Sequence, residues 1–245
     1  NSLFRLRYRF DMGTWNDKKL SLAAQYIQFL GTDKMSTEDI TKAFYKIACS
    51  FNVSASTEYT TVTIEGLQEN FSKAVQLFED VLKNCKADED ALKSLKARLI
   101  KSRTDAKLNK GAIMSGLNNY ARYGSNNPFN YTLSDDELNN ITSTELLNSL
   151  HSLNSNKHSI LYYGPQPLAQ FTAGLKSMHS IPAAFKPANA KVKFTFAEQT
   201  KNQVLFADYN MVQAEIRWVR NTAPYSADKE PVIDMFNNYF GGGMG

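Results

Sequence analysis

The stretch FRLRYRF at residues 4–10 alternates between apolar and basic side chains without a break. On an extended chain, the two sets lie on opposite faces: Phe4, Leu6, Tyr8 and Phe10 on one, Arg5, Arg7 and Arg9 on the other. A period of two is typical of a strand with one buried and one solvated face, as antiparallel sheets commonly have. The pattern therefore predicts a half-buried antiparallel strand. The arginines could instead form an anion site, but a solvated strand face is the simpler interpretation.

A helical pattern replaces the alternation at LSLAAQYIQFLGT, residues 20–32. Its apolar residues recur at helical spacing: Leu20, Ala23, Ala24, Ile27 and Leu30. Asn16 and Asp17 offer an N-cap, and Gly31 offers a C-cap. The stretch contains no acid, no base and no metal ligand, so its simplest role is packing.

The pattern that follows alternates helices with strands. In chain order it predicts a helix opened by Ser36 and Asp39, a hairpin over 51–66 turning near Thr57 and Glu58, helices over 70–85, 88–107 and 110–123, a loop over 124–134, a short helix from Thr142 or Ser143, a buried strand over 158–164 and a helix over 167–179. This order indicates the α+β class, with a largely antiparallel sheet and helices massed on one face.

A change in composition divides the chain into two parts. Residues 1–180 are predicted to form one α+β domain, and the proline- and alanine-rich segment 181–191 a linker. Residues 192–245 restart the pattern with a strand at VKFTF (192–196), a strand pair or one long bent strand over 203–219, and a helix over 228–240. One strand pair and one helix cannot close a core, so this part is predicted to begin a second, truncated domain of the same type.

Composition and charge exclude several classes of protein. The net charge of +4 comes from 28 basic and 24 acidic residues spread along all 245 positions, unlike the basic stripe of a nucleic-acid-binding protein. No apolar run reaches the roughly 18 residues needed to cross a bilayer. Cys49 and Cys85 are predicted to be half-buried thiols, so they leave the compartment open, periplasmic or cytoplasmic if the protein is bacterial.

Other residues with reactive or metal-ligating side chains are not spaced as in metal-binding, phosphate-binding or serine-hydrolase motifs. His151, His158 and His179 have no carboxylate or cysteine at metal-ligand spacing, so no metal cluster is expected. The glycine run at 241–243 follows a helix instead of preceding one and has no lysine, which favours a helix stop over a phosphate loop. No Gly-x-Ser-x-Gly is present, and Asp135 and Asp136 suit a helix N-terminus.

The order of several stretches resembles the pitrilysin/insulinase family of zinc peptidases. The matching stretches are FLGT (29–32), NVSASTEYTTVTIEGL (52–67), YARYGSNNPFNYTLS (120–134) and PVIDMFNNYFGGGMG (231–245). The resemblance implies repeated α+β domains in two halves that close around a peptide. In the catalytic half of this family, the first helix carries His-x-x-Glu-His, whose histidines hold zinc and whose glutamate activates water.

The resemblance also implies that this zinc motif is degenerate here. With FLGT as the anchor, the two histidine positions fall on Leu22 and Tyr26, and the glutamate position on Gln25. The third ligand, a glutamate on a downstream helix, is matched by Arg103 in LKARLIKSR, and Lys96 lies at another position where the family carries an acid. Leucine cannot ligate zinc and glutamine cannot accept a proton at neutral pH, so no metal is expected in this segment. Zinc is expected in the catalytic half.

Three functional hypotheses follow. The first is a non-catalytic, chamber-forming segment of a zinc metalloendopeptidase, inactive alone, whose partners are a catalytic N-terminal half and peptide substrates. That half could lie in the same chain or in a separate subunit. The second is a scaffold or partner subunit of the same fold without peptidase activity. The third is an unrelated α+β binding domain, which a parallel sheet or a different element order would favour.

Overall fold

The computed structural model describes residues 3–210, 214–221 and 225–241. Its strands and helices follow the predicted order closely. They are β1 (Leu3–Phe10), α1 (Lys19–Tyr26), α2 (Thr37–Lys46), β2 (Cys49–Ala55), β3 (Thr60–Leu67), α3 (Phe71–Asn84), α4 (Glu89–Ala106), α5 (Lys110–Tyr123), α6 (Asp135–Asn140), α7 (Ser143–His151), β4 (His158–Tyr163), α8 (Leu168–Met178) and α9 (Glu230–Phe240).

The four strands form one antiparallel sheet in the order β2-β3-β1-β4. β1 lies inside the sheet because it pairs with β3 on one side, where Leu6 faces Ile64, and with β4 on the other, where Leu6 faces Tyr162. The predicted α+β class with a largely antiparallel sheet is therefore confirmed, and the described residues do not form the parallel sheet that would have favoured an unrelated domain.

The apolar face of β1 lies at the centre of the core. Phe4, Leu6, Tyr8 and Phe10 are at most 2% exposed, while the alternating arginines are exposed. Helices α1 and α3 contact the sheet on this face and bring further aromatic side chains to it. The Phe71 ring packs edge-on against Phe4 at 5.0 Å, and Phe78 lies 5.2 Å from Phe51 of β2. The alternation in residues 4–10 thus decides which side of the sheet the helices cover.

Local signals set several element boundaries as predicted. Ser36 and Asp39 form a capping box at the start of α2, in which the Asp39 N–H donates to Ser36 Oγ at 3.1 Å and the Ser36 N–H donates to Asp39 Oδ2 at 3.2 Å. The hairpin turns at Ser56–Tyr59, where the Ser56 N–H donates to the Tyr59 carbonyl at 2.9 Å.

The caps predicted for α1 are wrong. The N-cap is Lys18, although the Asp17 carboxylate accepts from the Lys19 N–H at 2.9 Å. At the other end the helix tightens into a 3₁₀ turn over Ile27–Phe29, so a left-handed glycine is not needed to end it. Gly31 serves close packing instead, because a Cβ there would lie 2.8 Å from the Met35 carbonyl oxygen.

Two predicted burial states are also wrong. The sequence predicts β4 as a buried strand, but it is an edge strand whose Leu161 and Tyr163 are 51% and 80% exposed. Its apolar composition does not reveal that only one neighbouring strand pairs with it. Cys49 and Cys85 are not half-buried as predicted but buried, because both belong to the hydrophobic core on the helix-covered side of the sheet.

The strands predicted over 192–196 and 203–219 are absent from the described residues, which exclude 211–213. Residues 192–197 contact the loop before α1 and the end of α5, with the Val192 N–H donating to the Trp15 carbonyl at 2.9 Å and the Ala197 N–H to the Arg122 carbonyl at 2.8 Å. A strand needs a ladder partner, and here these N–H groups pair with a loop and a helix end instead. The predicted last helix is confirmed as α9, while residues 242 and 243 of the glycine run lie outside the described residues.

Replacing Leu6 with alanine is expected to lower the free energy of unfolding by about 2–5 kcal/mol, because it leaves a cavity at a fully buried position of an inner strand. The matched control is Arg7→Ala on the exposed face of the same strand, which should change it by less than about 0.5 kcal/mol. Urea unfolding followed by circular dichroism measures both. Equal losses in the two variants would contradict the one-sided core.

Candidate functional site

Helix α1 carries the positions that match the zinc motif, and two of them point into the core. Leu22 is 1% exposed and Tyr26 is fully buried. Gln25 is half-buried, and its amide donates to the Ser21 carbonyl at 3.2 Å, one turn back on the same helix. The side chains at these positions therefore make packing and backbone contacts.

The Tyr26 hydroxyl joins α1 to the start of α4. It donates to the Asp88 carbonyl at 2.8 Å and accepts from the Asp88 N–H at 2.9 Å. Asp88 is the N-cap of α4, since its carboxylate accepts from the Ala91 N–H at 2.8 Å. Burial raises the pKa of Tyr26 above its ordinary value, so the phenol is neutral at physiological pH. Tyr26, which the sequence resemblance predicts to occupy a zinc-ligand position, is a structural hydrogen-bonding group.

The cations on α4 hold a neighbouring segment. The Lys96 ammonium donates to the carbonyls of Ile141 at 2.7 Å and Asn139 at 3.0 Å, next to the end of α6. The Arg103 guanidinium contacts the Asp135 carboxylate and the Leu133 carbonyl at the start of α6. Tyr26 of α1 contacts the start of α4 at Asp88, whereas Arg103 lies fifteen residues further along the chain. Among the described residues, the polar contacts of Arg103 are with Leu133 and Asp135, and not with the α1 positions.

The residues at the motif positions do not fit a zinc ion. Zinc takes imidazole, thiolate or carboxylate ligands, and Leu22 offers no donor atom, while the Tyr26 oxygen already makes two hydrogen bonds with Asp88. Within residues 3–210, 214–221 and 225–241, no group of three or more His, Cys, Asp or Glu is placed to hold a metal. The chemistry at these positions is that of a packed helix.

Two of the three histidines meet in space. His158 Nε2 lies 2.8 Å from His179 Nε2, and His179 Nδ1 lies 2.7 Å from Glu79 Oε1. Sequence analysis missed this cluster because its members are 21 and 100 residues apart, and no spacing rule connects them. His151 lies elsewhere, with its Nε2 3.4 Å from Cys85 Sγ. Burial raises the pKa of the Cys85 thiol to about 11, so it is not a nucleophile at neutral pH.

The face of the sheet opposite the helices is a second candidate surface, here called the open sheet face. It consists of the outward side chains of β1 and its neighbours, chiefly Arg5, Arg7, Arg9, Leu161 and Tyr163. Arg5 Nε donates to the Glu65 carboxylate at 2.7 Å, and the Arg9 guanidinium lies 4.5 Å from the Tyr59 ring. Arg7 makes no ion pair with any described residue. The predicted solvated strand face is thus a basic surface with exposed apolar residues at its edge.

The chain is similar to one protein family in sequence and to several solved structures in fold. Residues 23–127 match the sequence profile of the insulinase family, peptidase family M16. No curated protein sequence matches the chain.

Three solved structures illustrate the structural likeness. The periplasmic protease PqqL from Escherichia coli has a TM-score of 0.67 at 14% identity, over 80% of this chain and 22% of PqqL. The ferredoxin protease FusC, in complex with Arabidopsis ferredoxin, has a TM-score of 0.65 at 17% identity, over 79% of this chain and 22% of FusC. A peptidase M16 inactive domain from Pseudomonas fluorescens has a TM-score of 0.62 at 18% identity, over 78% of this chain and 49% of that domain. At these identities the likeness shows the fold.

The chain spans about a fifth of the length of PqqL and FusC, and about half of the Pseudomonas fluorescens domain structure. Among the described helices, none combines the length and the apolarity that a bilayer crossing requires.

Replacing Tyr26 with phenylalanine is expected to lower the free energy of unfolding by about 1–3 kcal/mol, because it removes two hydrogen bonds at the α4 N-terminus and leaves the Asp88 groups unpaired. Tyr45→Phe is the control, since Tyr45 lies on α2 with 85% of its surface exposed. Chemical unfolding of both variants makes the comparison. If Tyr26→Phe does not change the free energy of unfolding, the hydroxyl does not join the two helices.

The purified chain is expected to retain no stoichiometric zinc after dialysis against a weak chelator, because the α1 positions offer no ligand set. Inductively coupled plasma mass spectrometry measures the metal content. Equimolar zinc that survives dialysis would contradict the assignment of Leu22, Gln25 and Tyr26 to the motif positions.

Proposed function

Because residues 23–127 match the insulinase family (peptidase family M16), we propose that this chain belongs to that family and is a non-catalytic segment that forms part of the substrate chamber of a zinc metalloendopeptidase. The proposal rests on one observation: the chain has the fold of M16 structures but no zinc-ligating side chains at the histidine positions of the motif. The sheet and helices are those of M16 structures, whereas Leu22 and Tyr26 are core residues at the motif's histidine positions. Peptide-bond hydrolysis would depend on zinc held in another half of the protein.

The burial of the α1 side chains supports a passive role for this segment. A catalytic helix must expose its ligands to solvent and substrate, since zinc keeps an open coordination position for water. Here the same helix faces the core with Leu20, Leu22 and Tyr26, all at most 4% exposed. This segment gains stability from side chains that a zinc site would leave accessible.

The open sheet face supports a role in lining the chamber. Helices cover the other side of the sheet, so this face is the broad strand surface available to a substrate. Arg7 forms no ion pair with the described residues and lies beside Leu161 in the β1–β4 register, so it offers a cation and an apolar contact to an extended peptide. Such contacts would hold a peptide while hydrolysis takes place at the zinc of the other half.

The partner required by this proposal is a catalytic half. It would lie upstream in the same polypeptide or in a separate subunit, and either arrangement is compatible with a chain that covers 22% of PqqL. The Pseudomonas fluorescens structure is that of an inactive M16 domain, and this chain is similar to it over 78% of its length. That likeness favours an inactive half as the parent of this segment.

A scaffold or partner subunit without peptidase activity is the second candidate function. It is favoured by the same degenerate α1, because nothing in that helix requires zinc elsewhere. The two candidates differ in one respect. The peptidase proposal requires a His-x-x-Glu-His helix in the native polypeptide or in its stable partner, whereas a scaffold requires no such helix in either.

The decisive experiment compares the intact native protein with this chain alone. The native protein should cleave internally quenched, unfolded peptides and should lose activity with a chelator. The isolated chain should be inactive. A native protein that copurifies with all its partners, contains no zinc and cleaves no peptide would establish the scaffold instead.

The role of the open sheet face is tested by Arg7→Glu in the native peptidase. The charge reversal should raise KM for acidic peptides roughly 3–10-fold with little change in kcat, because it alters binding and not the zinc site. Lys93→Glu on the exposed side of α4 is the control and should leave KM unchanged. Equal effects of the two reversals would indicate a general charge effect, and the open sheet face would not line the chamber.

A further inference from the structure

A buried polar cluster lies between three elements, away from the positions that match the zinc motif. His158 opens β4, His179 follows α8 as its C-cap, and Glu79 lies on α3. The His179 side chain is 1% exposed and that of Glu79 is 14% exposed. Glu79 also accepts from the Asn154 amide at 3.2 Å, so one of its oxygens serves a neighbouring turn and the other serves His179. These contacts define the histidine cluster: His158, His179 and Glu79.

The hydrogen bonds of the cluster fix its proton count. His158 Nδ1 lies 2.8 Å from the Asn156 carbonyl, which can only accept, so this nitrogen carries a proton. A second proton must lie between the two Nε2 atoms, which are 2.8 Å apart, and a third between His179 Nδ1 and Glu79 Oε1. The cluster therefore holds one proton more than two neutral imidazoles and a carboxylate, and its net charge is zero.

The other side chains that face the cluster are mostly aromatic. The Tyr8 ring of β1 is tilted against the His179 ring, with the ring centres 4.5 Å apart, and its buried hydroxyl lies near Glu79. Burial, with the Glu79 charge, raises the pKa of Tyr8, so this phenol stays neutral. Phe10 and Phe185 lie 4.7 and 5.8 Å from the His158 ring. Glu79 is thus the one carboxylate in contact with the pair among these neighbours.

We infer that the histidine cluster is an acid-sensitive latch that holds β4, α8 and the segment after α8 on the rest of the domain. One further proton would place N–H groups on both Nε2 atoms, which now share a single hydrogen. The hydrogen bond between the rings would be lost, and two cations would face one carboxylate in a buried site. Separating His158 from His179 would relieve this repulsion.

The latch holds the edge strand and the following segment because of where its residues lie. Among the described residues, β4 has a strand partner on one side only, so its attachment depends on β1 and on side-chain contacts. After His179, the chain returns to the same site, where Phe185 packs on His158 and the Lys186 N–H donates to the Ser155 carbonyl at 2.8 Å. Opening the latch would therefore loosen this return along with β4.

The direction of the pH effect follows from His158. Burial is the largest factor that lowers its pKa, and the charge of His179 lowers it further, while the Asn156 hydrogen bond and Glu79 oppose the change. The unfolded chain therefore takes up a proton more readily than the folded one. The folded cluster holds one proton beyond two neutral imidazoles, and an unfolded chain with two free histidines holds on average the same number at about pH 6.5, their ordinary pKa. The stabilisation is therefore greatest near that pH and is lost as the pH falls below it.

Hydrogen exchange on the purified chain between about pH 6.5 and 5.0 tests the latch. Protection factors, corrected for the intrinsic pH dependence of exchange, should fall for the β4 amides that pair with β1. One proton taken up on opening corresponds to at most about a tenfold fall per pH unit. The amides between β2 and β3 should keep their protection over the same range, because no member of the cluster lies on these strands.

His158→Gln removes the titrating group while keeping a polar side chain. In this variant, the protection of the β4 amides should no longer depend on pH. His151→Gln is the control, since His151 is exposed and lies outside the cluster, and it should leave the profile unchanged. If protection in all strands falls together, or if His151→Gln flattens the profile as well, the latch is contradicted.

Ring nitrogen spectra of the unmodified chain give a readout that does not depend on any variant. At about pH 7.5, the Nδ1 of His158 should carry a proton and its Nε2 should not, as the Asn156 contact requires. The reverse tautomer would overturn the proton count. A shift of both Nε2 signals with equimolar zinc would also overturn it, since the pair would then bind a metal rather than share a proton.

Discussion

Burial of one face of β1 is the constraint on which the rest of the structure depends. Its apolar side chains reach the centre of the core from a strand that is paired on both sides, so the helices can pack on that face only. The arginines on the other face cannot enter a core, because burying an unpaired guanidinium costs far more than hydrophobic contact returns. One strand therefore sets the layer order and leaves the open sheet face.

The helix after this strand has structural side chains at the positions where the resemblance predicts a zinc motif. A zinc ligand must keep a lone pair free for metal, whereas Tyr26 uses its hydroxyl to accept from and donate to the backbone of Asp88. Arg103 likewise contacts the carboxylate of Asp135 and the backbone near α6. These contacts tie α1 to α4 and α4 to α6, so the residues at the motif positions now join elements instead of holding an ion.

The polar interior is concentrated where the edge strand meets the helices. β4 lacks a second strand neighbour among the described residues, and the histidine cluster supplies directional contacts at its first residue. Apolar packing alone tolerates small shifts in register, but a chain of hydrogen bonds with a fixed number of protons does not. A buried site of this kind gives the edge of the sheet a specific position at the cost of sensitivity to acid.

The sequence by itself determined most of the elements, because helical and strand periodicity and caps such as the Ser36–Asp39 box act between residues close in the chain. It also determined which side chains cannot bind zinc, since Leu22 lacks a donor atom in any fold. The tertiary structure decided the edge position of β4, the contacts of residues 192–197 with a loop and a helix end, and the meeting of His158 with His179 and Glu79. Strand neighbours, burial and shared protons depend on contacts between residues far apart in sequence, and no local pattern encodes them.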